Sequence, residues 1–342
     1  MLENTVNTLK TLSILKNWIK ITLDALDSGN EALFDQVYGD NKKLLADVFI
    51  TLDKRAAGKY ENIFAEFIND MYLATDDTFT VSMEKLFEDA GKLLNAIGYI
   101  EDYYKANSRQ CIVCKSRVLY KPLSPYYDYL SELHGTKKHI AETLNDSLYE
   151  CPSCGCSDRD RLICVRLSQI LGDTSKRVLQ IAPAPSIEYF IKTNFPNTEY
   201  MSTDLFMDGV SFKSDIQDMN MVVDDCFDVV ICSHVLEHVE NDRKAMSELR
   251  RIIKPGGEIL FLVPIAVDAD YIDEEWGLSE EENWRRFGQG DHCRLYGKLP
   301  LMKRLLDAGF ELESYTKDSM PEDVFYNTGL NDHATLYLLK KQ

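Results

Sequence analysis

Phe227-Asp228-Val229-Val230-Ile231-Cys232-Ser233-His234-Val235-Leu236-Glu237-His238-Val239 is the stretch on which the reading of this chain turns. Its first half is a short apolar run rich in β-branched residues, as expected of a strand buried on both faces of a parallel sheet. The run breaks at Ser233-His234. A helical pattern follows from Arg243 to Ile253 and stops at Lys254-Pro255-Gly256-Gly257, a helix-ending composition. A second apolar run, Glu258 to Val263, comes directly after. Strand, helix and strand in this order make one unit of a doubly wound α/β sheet.

The same alternation extends upstream, where Val178-Leu179-Gln180-Ile181 and Glu199-Tyr200-Met201-Ser202 read as two earlier strands. Downstream, Glu311–Tyr315 and Ala334–Leu339 read as two further strands that can pair antiparallel at a sheet edge. Residues 1–106 have a different period. Val6, Leu9, Leu12, Leu15, Trp18 and Ile21 recur at helical steps, and three later runs do the same. These runs are Leu44, Leu45, Val48, Phe49 and Leu52; Phe64, Phe67, Ile68 and Tyr72; and Leu86 to Ile100. Gly29-Asn30, Gly39-Asp40 and Thr75–Thr78 mark breaks between them. The reading is therefore a helical domain over 1–106, a cysteine-bearing segment over 107–165 and an α/β domain over 166–342.

In an open parallel sheet a ligand binds beyond the carboxyl ends of the strands, where strand order reverses. The first strand ends at Gln180-Ile181 and turns through Ala182-Pro183-Ala184-Pro185. The second ends at Thr203-Asp204, where a carboxylate can accept both hydroxyls of a ribose. Asp215 and Ile216, near the end of a third strand, are placed to meet an adenine amino group and ring face.

Cys111-Ile112-Val113-Cys114 and Cys151-Pro152-Ser153-Cys154 are two CxxC pairs separated by 36 residues. Two intervening residues let both sulfurs reach one ion from a single turn, so four thiolates predict a closed, structural zinc site. Cys156 competes for a ligand position. A redox pair or buried thiols are the other readings of these cysteines. Cys164, Cys226, Cys232 and Cys293 read as small buried apolar side chains.

The segment from Phe227 to Val263, with its Leu249–Gly257 helix end, resembles class I S-adenosylmethionine-dependent methyltransferases. The Ile181-Ala182-Pro183-x-Pro185 turn, the upstream cysteine pairs (a zinc ribbon) and Gly288-Gln289-x-Asp291-His292 resemble a subgroup acting on small molecules or glycans. The resemblance covers roughly residues 111–340. It implies a Rossmann-like seven-stranded sheet with an antiparallel terminal pair. It also implies S-adenosylmethionine held by Gln180, Ala182, Pro183, Ala184, Asp204, Leu205, Asp215, Ile216, Ser233 and His234. In the family an acidic residue and Gly-x-Gly stand where this chain has Gln180 and Ala182-Pro183-Ala184. A non-catalytic cofactor-binding module is therefore an alternative reading.

His238, after the fourth strand, and His292, in the acidic and aromatic insertion from Asp268 to Tyr296, are the candidate general bases, since imidazole titrates near neutral pH. Arg294 and Tyr296 join Asp291 and His292 as a candidate acceptor-binding cluster, and the insertion is expected to form a lid. The expected acceptor is a hydroxyl or amine of a small molecule or sugar precursor.

Net charge is −18, and the 38 basic residues form no basic block. Nucleic-acid affinity comes mainly from phosphate neutralisation, which argues against such a partner and leaves RNA methylation as a lesser alternative. No apolar run reaches the roughly 20 residues of a membrane span. The N-terminus carries no secretory pattern, so a cytoplasmic protein is expected. The N-terminal helices offer a surface for self-association.

Overall fold

The computed structural model describes residues 5–28, 48, 50, 52, 54–74, 83–173 and 175–341. They divide into two compact units: Met1–Gln110 with Ser116–Leu119, and Cys111–Lys115 with Tyr120–Gln342.

The first unit holds helices Thr5–Asp27, Lys54–Ala57, Glu61–Ala74 and Met83–Asn107, with a small antiparallel pair at Arg109–Gln110 and Arg117–Val118. Its core gathers Leu12, Leu15, Trp18, Ile19, Phe64, Phe67, Leu86, Leu93, Ile97 and Ile100. The first helix buries a face rotated from the expected stripe. Ile19 and Thr22 are buried, whereas Val6 and Ile21 are exposed. Leu44, Leu45, Phe49 and the breaks at Gly29-Asn30, Gly39-Asp40 and Thr75–Thr78 lie outside the described residues.

The second unit is built on a seven-stranded mixed sheet. Its strands are β1 (Arg177–Ile181), β2 (Glu199–Asp204), β3 (Phe212–Lys213), β4 (Phe227–Ser233), β5 (Ile253–Leu262), β6 (Phe310–Tyr315) and β7 (Leu336–Lys341). They lie side by side in the order β6-β7-β5-β4-β1-β2-β3. β1 to β5 are parallel, and β7 runs antiparallel between β5 and β6. The central strands are nearly continuous apolar runs because helices cover both faces. Leu179, Val230, Cys232, Ile259 and Phe261 are all fully buried. Chain order therefore reverses between β1 and β4, which defines the ligand-binding edge.

Two boundaries differ from the sequence reading. The helix after β4 is Asp242–Ile252, and Ile253 to Gly257 belong to β5. The carbonyl of Cys226, just before β4, accepts from Arg177, and Cys226 N–H donates to Ile252. β4 thus enters the sheet beside the helix end, and the Pro-Gly-Gly stretch bulges against it. The third strand has only two residues, so Asp215 and Ile216 stand in the loop beyond it.

The insertion after β5 is ordered. Ile265–Ala266 and Ile272–Glu274 flank Arg294–Gly297 in a three-stranded sheet, and helix Glu280–Phe287 lies between. Gly297 cannot carry a side chain, since a Cβ there would sit 2.4 Å from the Ala269 carbonyl. An ionic knot fixes the base of this insertion. Glu274 accepts from Arg294 Nε at 2.7 Å and from both terminal nitrogens of Arg304 at 2.8 and 2.9 Å. Arg304 also donates to Asp242 at 2.6 Å, and Tyr296 O–H donates to the same carboxylate at 2.9 Å.

The Arg304 bond, with Arg294 behind it, holds the Glu274 carboxyl down to about 2 from its usual 4.5. A depressed carboxyl contributes stability that is complete above the unfolded value and disappears as pH falls through the folded one. Glu274→Gln is accordingly expected to flatten the acid limb of the melting-temperature profile between these two values. A profile that superimposes on the wild type's would contradict this role.

Candidate active site

Two turns open the crevice at the ligand edge. After β1, Ala182 takes φ +49° and its N–H donates to Thr203 of β2 at 2.9 Å. After β4, His234 takes φ +56° and its N–H donates to Leu262 of β5 at 2.8 Å. The two chains thus lean apart, one toward each outer neighbour, where strand order reverses. Left-handed backbone is costly for a residue with a Cβ, and such strain collects at functional positions. Only four non-glycine residues among those described have positive φ, and two of them are this pair. Ala182 occupies the conformation for which glycine is the default, so the missing glycine changes the residue and leaves the turn in place.

Asp204 ends β2 half-buried, and its Oδ1 accepts the backbone N–H groups of Phe206 and Met207 at 2.7 Å each. This side-chain turn fixes the carboxylate at the strand's end. Leu205, beside it, is exposed. Asp215 accepts from Gln217 N–H at 2.8 Å, while Ile216 is buried in the sheet's core, which limits the ring surface it can offer. Pro183 and Ala184 lead into helix Pro185–Asn194, with Ala184 as its N-cap. Ser233 closes β4. Gln180 departs from expectation. It is 2% exposed, and its Oε1 accepts from the Tyr200 hydroxyl at 2.9 Å, which commits that oxygen to the neighbouring strand.

Beside the crevice lies a cleft of 350 Å³. His234, Pro264 and Ile265 form its floor, Phe287, Gln289 and His292 one wall, and Tyr127, His139, Tyr149 and Arg159 the other. Apart from Arg159, which stands on helix Asp158–Ile170 after the second pair, that wall is the spacer between the two CxxC pairs, which carries its own helix, Tyr126–Leu133. Sequence reasoning treated that spacer only as the 36 residues separating the two pairs. No motif marks it, and its role emerges from the chain's return across the pocket.

Glu237 is the other residue that sequence reasoning missed. It is completely buried, with His234 Nδ1 at 3.0 Å and His238 Nε2 at 3.9 Å from its Oε1. Burial alone would raise its carboxyl. The facing His234, then His292 and His238, reverse this and hold it at about 2. Burial, with Arg159 nearby, brings His234 down to about 4, and burial also lowers His292. Both rings are therefore neutral near pH 7. His238 packs edge-on against His292, their centroids 4.7 Å apart.

Neither Arg294 nor Tyr296 lines the cleft. Both are buried, and Arg294 donates to the carbonyls of Leu236, Val239 and Glu240. They brace the loop after β4 and leave Asp291 and His292 as the part of that cluster near the pocket.

Five thiols converge ahead of the sheet. Cys111 Sγ lies 3.5 Å from Cys156 and 3.9 Å from Cys154, and Cys114 lies 3.9 Å from Cys151. Cys111, Cys151, Cys154 and Cys156 form one set whose sulfurs all lie within 4.8 Å of one another, and Cys114, 3.9 Å from Cys151, stands beside it. Each knuckle closes in the same way. Lys115 N–H donates to Cys111 and Gly155 N–H to Cys151, with φ +63° and +71° at the two turn residues. The buried guanidinium of Arg161 ties this segment down. It donates to the carbonyls of Leu148, Tyr149, Cys156 and Thr328 and packs 3.8 Å from the Tyr120 ring centre. Cys164, Cys226, Cys232 and Cys293 are all buried.

Residues 165–261 match the family model described as a methyltransferase domain. With the strand order above, this segment is a class I, Rossmann-like methyltransferase domain. Among curated proteins, the chain is similar to human thiol S-methyltransferase TMT1B, 28% identical over 33% of this chain and 45% of that protein. Human thiol S-methyltransferase TMT1A is 26% identical over 35% of this chain and 46% of its own length. The chain thus spans just under half the length of the curated relatives it matches. Among solved structures, an S-adenosylmethionine-dependent methyltransferase from Archaeoglobus fulgidus aligns at 15% identity. It covers 53% of this chain and 94% of that one, with TM-score 0.35. The YcgJ protein of Bacillus subtilis aligns at 15% identity over 53% and 98%, with TM-score 0.33. No helix among the described residues is long and apolar enough to cross a membrane.

Proposed function

We propose that this chain transfers the methyl group of S-adenosylmethionine to a nucleophile on a small molecule or a sugar precursor. The observation that carries the reading is the pair of opposed left-handed turns at Ala182 and His234, with the Asp204 carboxylate at the end of the next strand. The residues present fit the methyl donor. Asp204 keeps Oδ1 in its own turn and has its second oxygen to offer a ribose, and Ala182 brings bare backbone to the strand edge. When bound, S-adenosylmethionine supplies an electrophilic methyl on a sulfonium, and the protein's task is to align and desolvate.

The 350 Å³ cleft supplies the acceptor side. Tyr127, Tyr149 and Phe287 offer apolar faces, and Arg159, Lys138 and His139 add polar and cationic groups, a lining suited to a compact polar molecule. The neutral ring of His234 stands at the junction of cleft and crevice in the form that can accept a proton. Hydroxyl, amine and thiol acceptors all suit this lining, the last class being the one for which the curated relatives are named.

The thiol cluster is read as a structural zinc site. Four sulfurs within reach of one ion leave no open position, and the metal would pin both ends of the spacer that walls the cleft. The test is a panel of small hydroxyl, amine and thiol acceptors with labelled methyl donor. Labelled product from any one class supports the reading. Tight donor binding with no product from all three would favour a non-catalytic cofactor-binding module.

A further inference from the structure

Glu237 is a fully buried carboxylate whose one close donor is His234 Nδ1, 3.0 Å from Oε1, and its Oε2 has no hydrogen-bond partner among the described residues. His292, 6% exposed, likewise has Nδ1 without a hydrogen-bond partner. A buried carboxylate oxygen and a buried imidazole lone pair left without donors side by side are costly unless a cation completes them. The ligand atoms of Glu237, His238 and His292 all lie within 4.8 Å of one another. Atoms bound to one zinc-like ion at about 2.0–2.2 Å stand roughly 3–3.5 Å apart, so small side-chain rotations close the set.

The surroundings are those of a metal-binding triad. His238 Nδ1 is 3.2 Å from the Asp291 carbonyl and 3.3 Å from its carboxylate, which turns Nε2 toward Glu237. A ligating histidine commonly has its second nitrogen held in this way. The two elements that meet here are also locked together, because the Glu237 carbonyl accepts Cys293 N–H at 2.8 Å and Cys293 Sγ at 3.2 Å.

We propose that Glu237, His238 and His292 form a second metal site, separate from the cysteines, that takes a divalent first-row transition ion of the zinc class. Two imidazoles and one carboxylate are donors for such ions rather than for calcium or magnesium. Three protein ligands leave a position open, and since His292 lines the acceptor cleft the site lies at its edge. Its role, which rests on the proposed methyl transfer, is to hold an acceptor through an oxygen or sulfur donor. The ion would draw the acceptor's lone pair into place beside the crevice. Metal binding itself stands independently of that reaction.

Equilibrium dialysis of the stripped full-length protein against zinc alone, then against cobalt(II) alone, tests the site. Wild type should retain about one equivalent more metal than Glu237→Gln, His238→Asn or His292→Asn. The cobalt difference spectrum should show ligand-field bands without the near-ultraviolet charge-transfer band of thiolate ligation. His238→Asn changes a part-exposed side chain, so it keeps the test open if the buried Glu237 variant fails to fold. Equal metal content in wild type and in every folded variant would overturn the proposal. So would a difference spectrum carrying the thiolate band. A metal-replete protein without methyl transfer would leave the site standing and refute the reaction.

Discussion

Asp204→Ala is expected to weaken binding of S-adenosylmethionine and S-adenosylhomocysteine about 100- to 1000-fold while the chain stays folded. Each hydrogen bond to a charged group contributes roughly 1.5–3 kcal/mol, and a ribose presents two hydroxyls to this one carboxylate. Every 1.4 kcal/mol is about tenfold in affinity, which gives the range. Asp204 also closes the turn to Phe206 and Met207 through Oδ1, so Asp204→Asn is the informative control. The amide oxygen keeps that turn, but the charge is gone, and an intermediate loss is expected. Titration calorimetry reads both variants. Wild-type affinity in the alanine variant would remove Asp204 from the cofactor site.

Removing a thiolate should affect the other side of the pocket. Cys111 stands nearest to the shared centre, against both Cys154 and Cys156. Structural zinc in small thiolate modules contributes on the order of 10 kcal/mol to local folding. Cys111→Ser is therefore expected to lose that metal and to loosen the spacer with Tyr127, His139 and Tyr149. Acceptor turnover should fall by at least about tenfold, because misplacement by about 1 Å is enough for such losses. Donor affinity should stay near wild type, since Ala182, Asp204 and His234 hang on the sheet. Hydrogen exchange over residues 120–150 gives a second reading of the same event. Cys164→Ser, outside the cluster, should change none of these. A Cys111→Ser protein with full metal content would exclude Cys111 as a ligand.

How far the sequence carried can be judged residue by residue. The seven-stranded sheet was legible because its inner strands, such as Val229-Val230-Ile231, are buried on both faces and so are apolar without interruption. The edge strand Phe212–Lys213 was harder, since two residues leave no periodicity to read. Asp204 was found from its distance to the first strand, a constraint of the fold itself. Gln180 was read as a ligand, and its oxygen also accepts from Tyr200 on the neighbouring strand. That contact crosses two strands and leaves no mark in local sequence.

The cysteine spacing located the thiol cluster, and three-dimensional packing brings Cys156 into it beside Cys114. Glu237 went unnoticed because an acid between two candidate histidines looks like a solvated helix residue. Its burial depends on Cys293 and Arg294, more than 50 positions away. In the first helix, Val6 and Ile21 fit the period but fall outside the buried face. A stripe of apolar residues fixes a helix more firmly than it fixes the rotation of that helix against its neighbours.

The most direct test is a crystal of this protein soaked in S-adenosylhomocysteine. The adenosyl group should lie across the Ala182-Pro183 turn, with its ribose hydroxyls on the Asp204 carboxylate and its sulfur toward His234. Density for the ligand elsewhere, or none at saturating concentration because the proline-bearing turn closes the crevice, would contradict the account.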